Sequence, residues 1–81
     1  MFQVYILRSL RTGRYYVGHT NDLPHRLHQH NSGYSISTKS GIPWKLVYSE
    51  QFQTRSEAMI REREIKRQKS RSAIARIIEG R

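Results

Sequence analysis

Apolar and polar positions alternate at the start of this chain. Phe2, Val4 and Ile6 fall on one side of an extended segment and Gln3, Tyr5 and Leu7 on the other, the period of two that marks a β-strand. A second such segment sets Tyr15 and Val17 against Tyr16 and Gly18, with Gly13 marking the turn between them. If Val17 is buried beside Val4 and Ile6, the same period forces Tyr16 onto the face of Tyr5. Pairing Ser9 with Arg14 does this, and it leaves Leu10 to Gly13 as a hairpin loop of permitted length. A slip of one residue would part the two phenols.

The pattern then changes to helical. Asn21 or Asp22 can cap a helix with Pro24 in its first turn, Leu23 and Leu27 as an i,i+4 apolar pair, and Gly33 just beyond its end. Arg26 and His30 are also i,i+4 and share one face of it. The Ser- and Gly-rich stretch from Asn31 to Pro43 shows no period and is expected to be a functional or mobile loop, with Tyr34, Thr38 and Lys39 as solvated residues or phosphate contacts. Trp44 to Ser49 reads as a third strand, with Trp44, Leu46, Tyr48 and Phe52 on one face and Trp44 in the core.

Thr54 and Glu57 form a capping box, so a helix begins near Arg55. Ala58, Glu62 and Ile65 make its inward stripe, with Met59 at the edge. A carboxylate at Glu62 then needs a partner, because burying a bare charge is very costly. A salt bridge to Arg26 or another arginine and a metal ion both meet that need. A last helix starts at Ser70 or Ser72 and buries Ile74, Ile77 and Ile78 before Gly80. The expected class is α+β: a three-stranded, mainly antiparallel sheet flanked by helices in the order β-β-α-β-α-α, with residues 1–81 as one domain.

Charge adds a partner to this picture. Fifteen Lys and Arg against six Asp and Glu give a net charge of +9, and a polyanion is the simplest match. The basic residues lie on predicted helices, most densely from Arg61 to Arg71, so Lys66, Arg67 and Lys69 are candidate nucleic-acid contacts. No cysteine is present, which removes disulfides and cysteine-ligated zinc and makes the cytoplasm the default location. His25, His28 and His30 do not line one helix face, which argues against a histidine zinc site. The apolar start is too short for a signal peptide core, and no run approaches the ~20 residues of a membrane span.

Tyr5 within Val4-Tyr5-Ile6, Tyr16 within Tyr16-Val17-Gly18, Arg26 ten residues on and His30 one turn later together resemble the signature of the GIY-YIG nucleases, above all their small stand-alone bacterial members. The resemblance continues through Trp44 to Tyr48 and Glu57 to Lys66. Gln3 stands in place of the first glycine of the family name, and Val4 and Val17 in place of isoleucines. It implies a metal-dependent endonuclease that hydrolyses phosphodiester bonds in DNA, with branched, flapped or damaged DNA in repair or recombination as the substrate. Implied catalytic residues are Tyr5, Tyr16, Arg26, His30 and Glu62, with Glu62 the ligand for Mg²⁺ or Mn²⁺.

One carboxylate with waters and substrate oxygens suits such a hard cation, and the planar fork of Arg26 suits phosphate oxygens. A phenol of pKa ~10 needs help to act as a base at neutral pH. His19, where relatives place Lys or Ser, is a further phosphate contact. Some relatives carry an asparagine beyond the glutamate, and none follows Asn31 here. The alternative reading is a non-catalytic nucleic-acid-binding module that retains the fold; RNA is not excluded as ligand, and a protein partner could supply specificity.

Overall fold

The computed structural model describes residues 1–68 and 70–80. Strand β1 (Phe2–Ser9) runs antiparallel to β2 (Tyr15–Thr20) on one side and to β3 (Trp44–Phe52) on the other, giving the order β2-β1-β3. The first hairpin takes the register expected from the burial pattern, with Ile6 opposite Val17, Leu7 opposite Tyr16, and Ser9 N–H bonded to the Arg14 carbonyl at 2.8 Å. Gly13 closes the loop at φ +77°, a conformation that costs glycine little. The buried Ser9 hydroxyl accepts from the amides of Arg11 and Thr12 and donates to the Gly41 carbonyl. It ties the hairpin loop to the segment before β3.

Period two gives β1 two buried faces. Val4 and Ile6 join Val17 under Ala58 and Ile65 of helix α3 (Arg55–Lys66), with Ile74, Ile77 and Ile78 of helix α4 (Arg71–Ile78) around them. Tyr5 and Leu7 join Trp44 and Leu23 beneath helix α1 (Leu23–Asn31), with Tyr16, Leu27, Ile42 and Leu46 alongside. Helices α1, α3 and α4 begin on caps the sequence offers: Asp22 accepts from the amide of His25, Thr54 and Glu57 close the capping box, and Ser70 caps the last helix. None of the helices is long and apolar enough to cross a membrane among the described residues.

Two expectations need correcting. Trp44, Leu46, Tyr48 and Phe52 do not share a face, because the register shifts within β3: Ile6 pairs with Tyr48 but Leu7 with Leu46, leaving Val47 as the extra residue. Such a bulge reverses the alternation, so Trp44 and Leu46 face α1 while Tyr48 and Phe52 face α3. The stretch from Asn31 to Pro43 also holds a one-turn helix, α2 (Ile36–Lys39), so the order is β-β-α-α-β-α-α. One turn is too short for periodicity to reveal. It is held instead by tertiary bonds: Trp44 Nε1 donates to the Thr38 carbonyl at 2.7 Å, and Asn31 exchanges two hydrogen bonds with the Trp44 backbone.

Gly41 permits this packing, since a Cβ there would overlap the Trp44 indole. Gly41→Ala is expected to cost about 1–3 kcal/mol, as overpacking generally does, and to shift the emission of Trp44, the chain's single tryptophan. A denaturant melt followed by fluorescence checks this; an unchanged midpoint and spectrum would refute the packing argument.

Candidate active site at the edge strand

Tyr5, Tyr16, Arg26 and His30 meet under α1, as their spacing predicts. The Tyr5 and Tyr16 rings lie on one face with centroids 6.3 Å apart, and the Tyr16 ring packs 4.8 Å from His30. Tyr5 and His30 are fully buried, and the Tyr5 hydroxyl is 3.0 Å from His30 Nε2. His30 Nδ1 lies 2.9 Å from the hydroxyl of Thr38, which is also buried. Arg26 sits beside both phenols and donates to the Gln29 side chain at 3.0 Å.

Burial sets the electrostatics here. It pushes Tyr5 up to about 12; the Arg26 guanidinium opposes this, and Tyr16 and Glu62 add to it. Burial and then the Arg26 charge pull His30 down to about 4, so the imidazole is neutral at physiological pH.

Glu62 approaches from the other side of the sheet. Helix α3 covers the Val4 and Ile6 face, and Glu62 meets His19, whose side chain points to that face from β2. The Glu62 carboxylate lies 2.6 Å from His19 Nδ1 and 2.6 Å from Lys66 Nζ. Burial would raise its pKa, but the bonds from Lys66 and His19 prevail and hold it below the usual carboxylate range. Its ion-pair partners are thus a lysine one turn along and a strand histidine, not Arg26. His19, Met59, Glu62, Arg63 and Lys66 line an open cleft of about 250 Å³.

Gly18 connects the two halves. It lies on the outer strand β2 directly opposite Tyr5 and next to His19, and a Cβ there would come within 2.7 Å of the Tyr5 hydroxyl and 2.9 Å of its ring. The phenol therefore lies across the strand where the side chain is missing. The field of the Glu62 carboxylate reaches the Tyr5 phenol.

Among the described residues no three His, Cys, Asp or Glu side chains converge on a metal position. One carboxylate facing an open cleft nonetheless fits a hard cation whose other ligands are waters and phosphate oxygens, and Lys66, half exposed, can swing aside.

Lys39 and Arg67 are exposed and stand apart from this centre; Arg67 shares a groove with Ile60, Arg63 and Glu64. Lys69 lies outside the described residues. Thr38 corrects an expectation: it is neither solvated nor a phosphate contact but fully buried against His30, because Trp44 and α2 fold it inward. Sequence reasoning passed over two residues: Arg63 was hidden in a run of charges, and Gly18 had no turn to explain.

The neutral His30 makes a prediction for stability. Its folded pKa lies below its ordinary 6.5, so between these values the unfolded chain binds more protons and stability falls as pH drops from about 6.5 to about 4, by ~3 kcal/mol at most. Glu50 and Glu62, held below 4.5, lose their contribution only further down. Denaturant midpoints measured from pH 7 to pH 4 are expected to fall more steeply for the wild type than for His30→Gln. Equal slopes would contradict a buried neutral imidazole.

Comparison with known proteins agrees with this arrangement. Residues 1–75 match the GIY-YIG catalytic domain. The chain is 42% identical over 67 residues to a UPF0213 protein of Streptococcus pneumoniae, covering 82% of this chain and 67% of that one. It is 38% identical over 78 residues to UPF0213 protein SSP2268 of Staphylococcus saprophyticus, covering 95% of this chain and 94% of that one. The solution NMR structure of UPF0213 protein BH0048 from Bacillus halodurans superposes with a TM-score of 0.61 at 33% identity, covering 98% of this chain and 84% of that one. With this fold, with both tyrosines, the arginine and the histidine gathered on one face, and with matches of this extent, the chain belongs to the GIY-YIG catalytic-domain family, among its small UPF0213 proteins.

Proposed function

We propose that this chain is a single-domain, cytoplasmic, metal-dependent endonuclease that hydrolyses phosphodiester bonds in DNA, with branched or damaged DNA in repair or recombination as its substrate class. The observation that carries this reading is the Tyr5 hydroxyl, 3.0 Å from His30 Nε2 and packed over Gly18, with Arg26 and Glu62 both acting on its pKa. That arrangement supports five roles around one phosphate. Family membership supports nuclease chemistry in general; the substrate and the residue roles are this proposal.

Arg26 would fork onto the non-bridging oxygens, with the partly exposed Tyr16 hydroxyl beside it. Glu62 would hold Mg²⁺ or Mn²⁺, an ion that neutralises the charge developing on the phosphate. Lys66, released from the carboxylate, would turn to a backbone phosphate together with His19, Arg63 and Arg67. A phenol pushed up to about 12 does not ionise alone at neutral pH. It can act as a relay: the Tyr5 oxygen takes a proton from the attacking water while its own passes to His30 Nε2. The water oxygen bonds to phosphorus as the bond to the leaving oxygen breaks, and solvent protonates that oxygen. Phosphate bound at Arg26 would offset the charge that, after burial, holds His30 down, so substrate itself makes His30 a better acceptor.

One observation favours a non-catalytic binding module instead. Both carboxylate oxygens of Glu62 are engaged by side chains of the chain itself, His19 and Lys66. The two readings separate on cleavage. Labelled single-stranded, duplex, flapped and branched DNAs, and RNA, are incubated with Mg²⁺ or Mn²⁺. The expected result is metal-dependent cutting that falls about 10²–10³-fold in Glu62→Gln and in Arg26→Lys, the range seen when one transition-state contact is lost. Binding that weakens with salt but is never accompanied by cutting would overturn the enzyme and leave the module.

A further inference from the structure

Thr38 has no role in the scheme above, yet its side chain is as deeply buried as Tyr5 and His30. Its surroundings are fixed from several directions. Trp44 Nε1 holds its carbonyl at 2.7 Å, Ser9 Oγ holds the Gly41 carbonyl at 2.7 Å, and Arg14 reaches Ser40 Oγ at 3.1 Å. A one-turn helix on a surface connection rarely receives so many tertiary bonds, and the atom they aim inward is Thr38 Oγ1, 2.9 Å from His30 Nδ1.

The direction of the hydrogen bonds can be worked out by satisfying each group in turn. Among the described residues the Tyr5 hydroxyl has one hydrogen-bond partner, His30 Nε2. If His30 Nε2–H donated to that oxygen, the Tyr5 O–H would have no acceptor among the described residues, at a site only 1% exposed. Tyr5 must therefore donate to Nε2, which places the imidazole proton on Nδ1. Thr38 Oγ1 then accepts from Nδ1–H, and its own proton goes to the Ser35 carbonyl at 3.4 Å. Every donor in the chain from Tyr5 through His30 and Thr38 to Ser35 finds an acceptor, consistent with the absence of unsatisfied buried side-chain atoms among the described residues.

We infer that Thr38 is a positioning residue: by accepting from His30 Nδ1–H it fixes the imidazole in the tautomer whose Nε2 lone pair faces the Tyr5 hydroxyl. The partner of the remote nitrogen decides which nitrogen can take a proton. Helix α2 is thus a strap whose purpose is to hold one hydroxyl. This inference rests on the relay proposed above for its catalytic meaning, but the tautomer itself does not depend on cleavage.

The test reads both. Imidazole ¹⁵N shifts of the labelled protein report which nitrogen of His30 carries the proton. The wild type and Thr38→Ser, which keeps the hydroxyl, are expected to show Nδ1–H; Thr38→Val, equal in shape but unable to accept, is expected to move His30 toward Nε2–H. On the best-cut substrate Thr38→Val should lose at least about tenfold in kcat with KM little changed, as losing the group that orients a reacting side chain does, and Thr38→Ser should retain most of it. An Nε2–H imidazole in the wild type, or an Nδ1–H imidazole that survives Thr38→Val in a folded protein, overturns the inference. The expected tautomers with no cleavage of any substrate uphold the role of Thr38 and overturn the nuclease reading alone.

Discussion

A strand buried on both faces cannot offer all its residues to one site. In β1 the period of two sends Val4 and Ile6 to α3 and Tyr5 and Leu7 to α1, and each helix brings its own chemistry. Helix α1 brings Arg26 and His30 to the phenols, whereas α3 brings Glu62 to the opposite face. A carboxylate and a phenol on opposite sides of a sheet can serve one phosphate only over an edge. The order β2-β1-β3 makes β2 that edge, and Gly18 lowers it by having no side chain where Tyr5 crosses. The remaining features of the site follow from this constraint.

Burial then decides the protonation states. Tyr5 and His30 are shielded from water, so the phenol keeps its proton and the imidazole stays neutral. Neither group is a strong base by itself. In the proposed relay their hydrogen bond matters because the phenol gains one proton as it passes on another, so the charge that develops falls on His30 and no bare phenolate is left. On the solvent side the logic is reversed: Glu62 is ionised and matched by His19 and Lys66. A buried neutral pair and an open charged cleft thus lie on either side of one glycine, Gly18.

Much of this was legible in the residues. Alternation in Phe2 to Leu7 and Tyr15 to Gly18 fixed the hairpin register, because any slip would have exposed Val17; the helix caps at Asp22, Thr54 and Ser70 were visible as short-range chemistry. The i,i+4 spacing of Arg26 and His30 put both on the phenol side. What stayed hidden was tertiary in origin. The bulge at Val47 leaves no mark in the run Leu46-Val47-Tyr48, and α2 is a single turn stabilised by the Trp44 indole, with the segment after it tied to Ser9 in the first hairpin. Glu62 was read correctly as inward-facing, but a helical stripe does not say which sheet face it covers, so its pairing with His19 was invisible.

The most direct test of a site assembled over the edge strand uses a variant that removes no reactive group. Gly18→Ala, checked for a native fold by its spectra, is compared with the wild type in single-turnover cleavage of the substrate cut fastest. The account predicts a rate at least about a hundredfold lower with nucleic-acid affinity nearly unchanged, since displacing a reacting group by an ångström can cost that much. A folded Gly18→Ala protein that cleaves at the wild-type rate would contradict it.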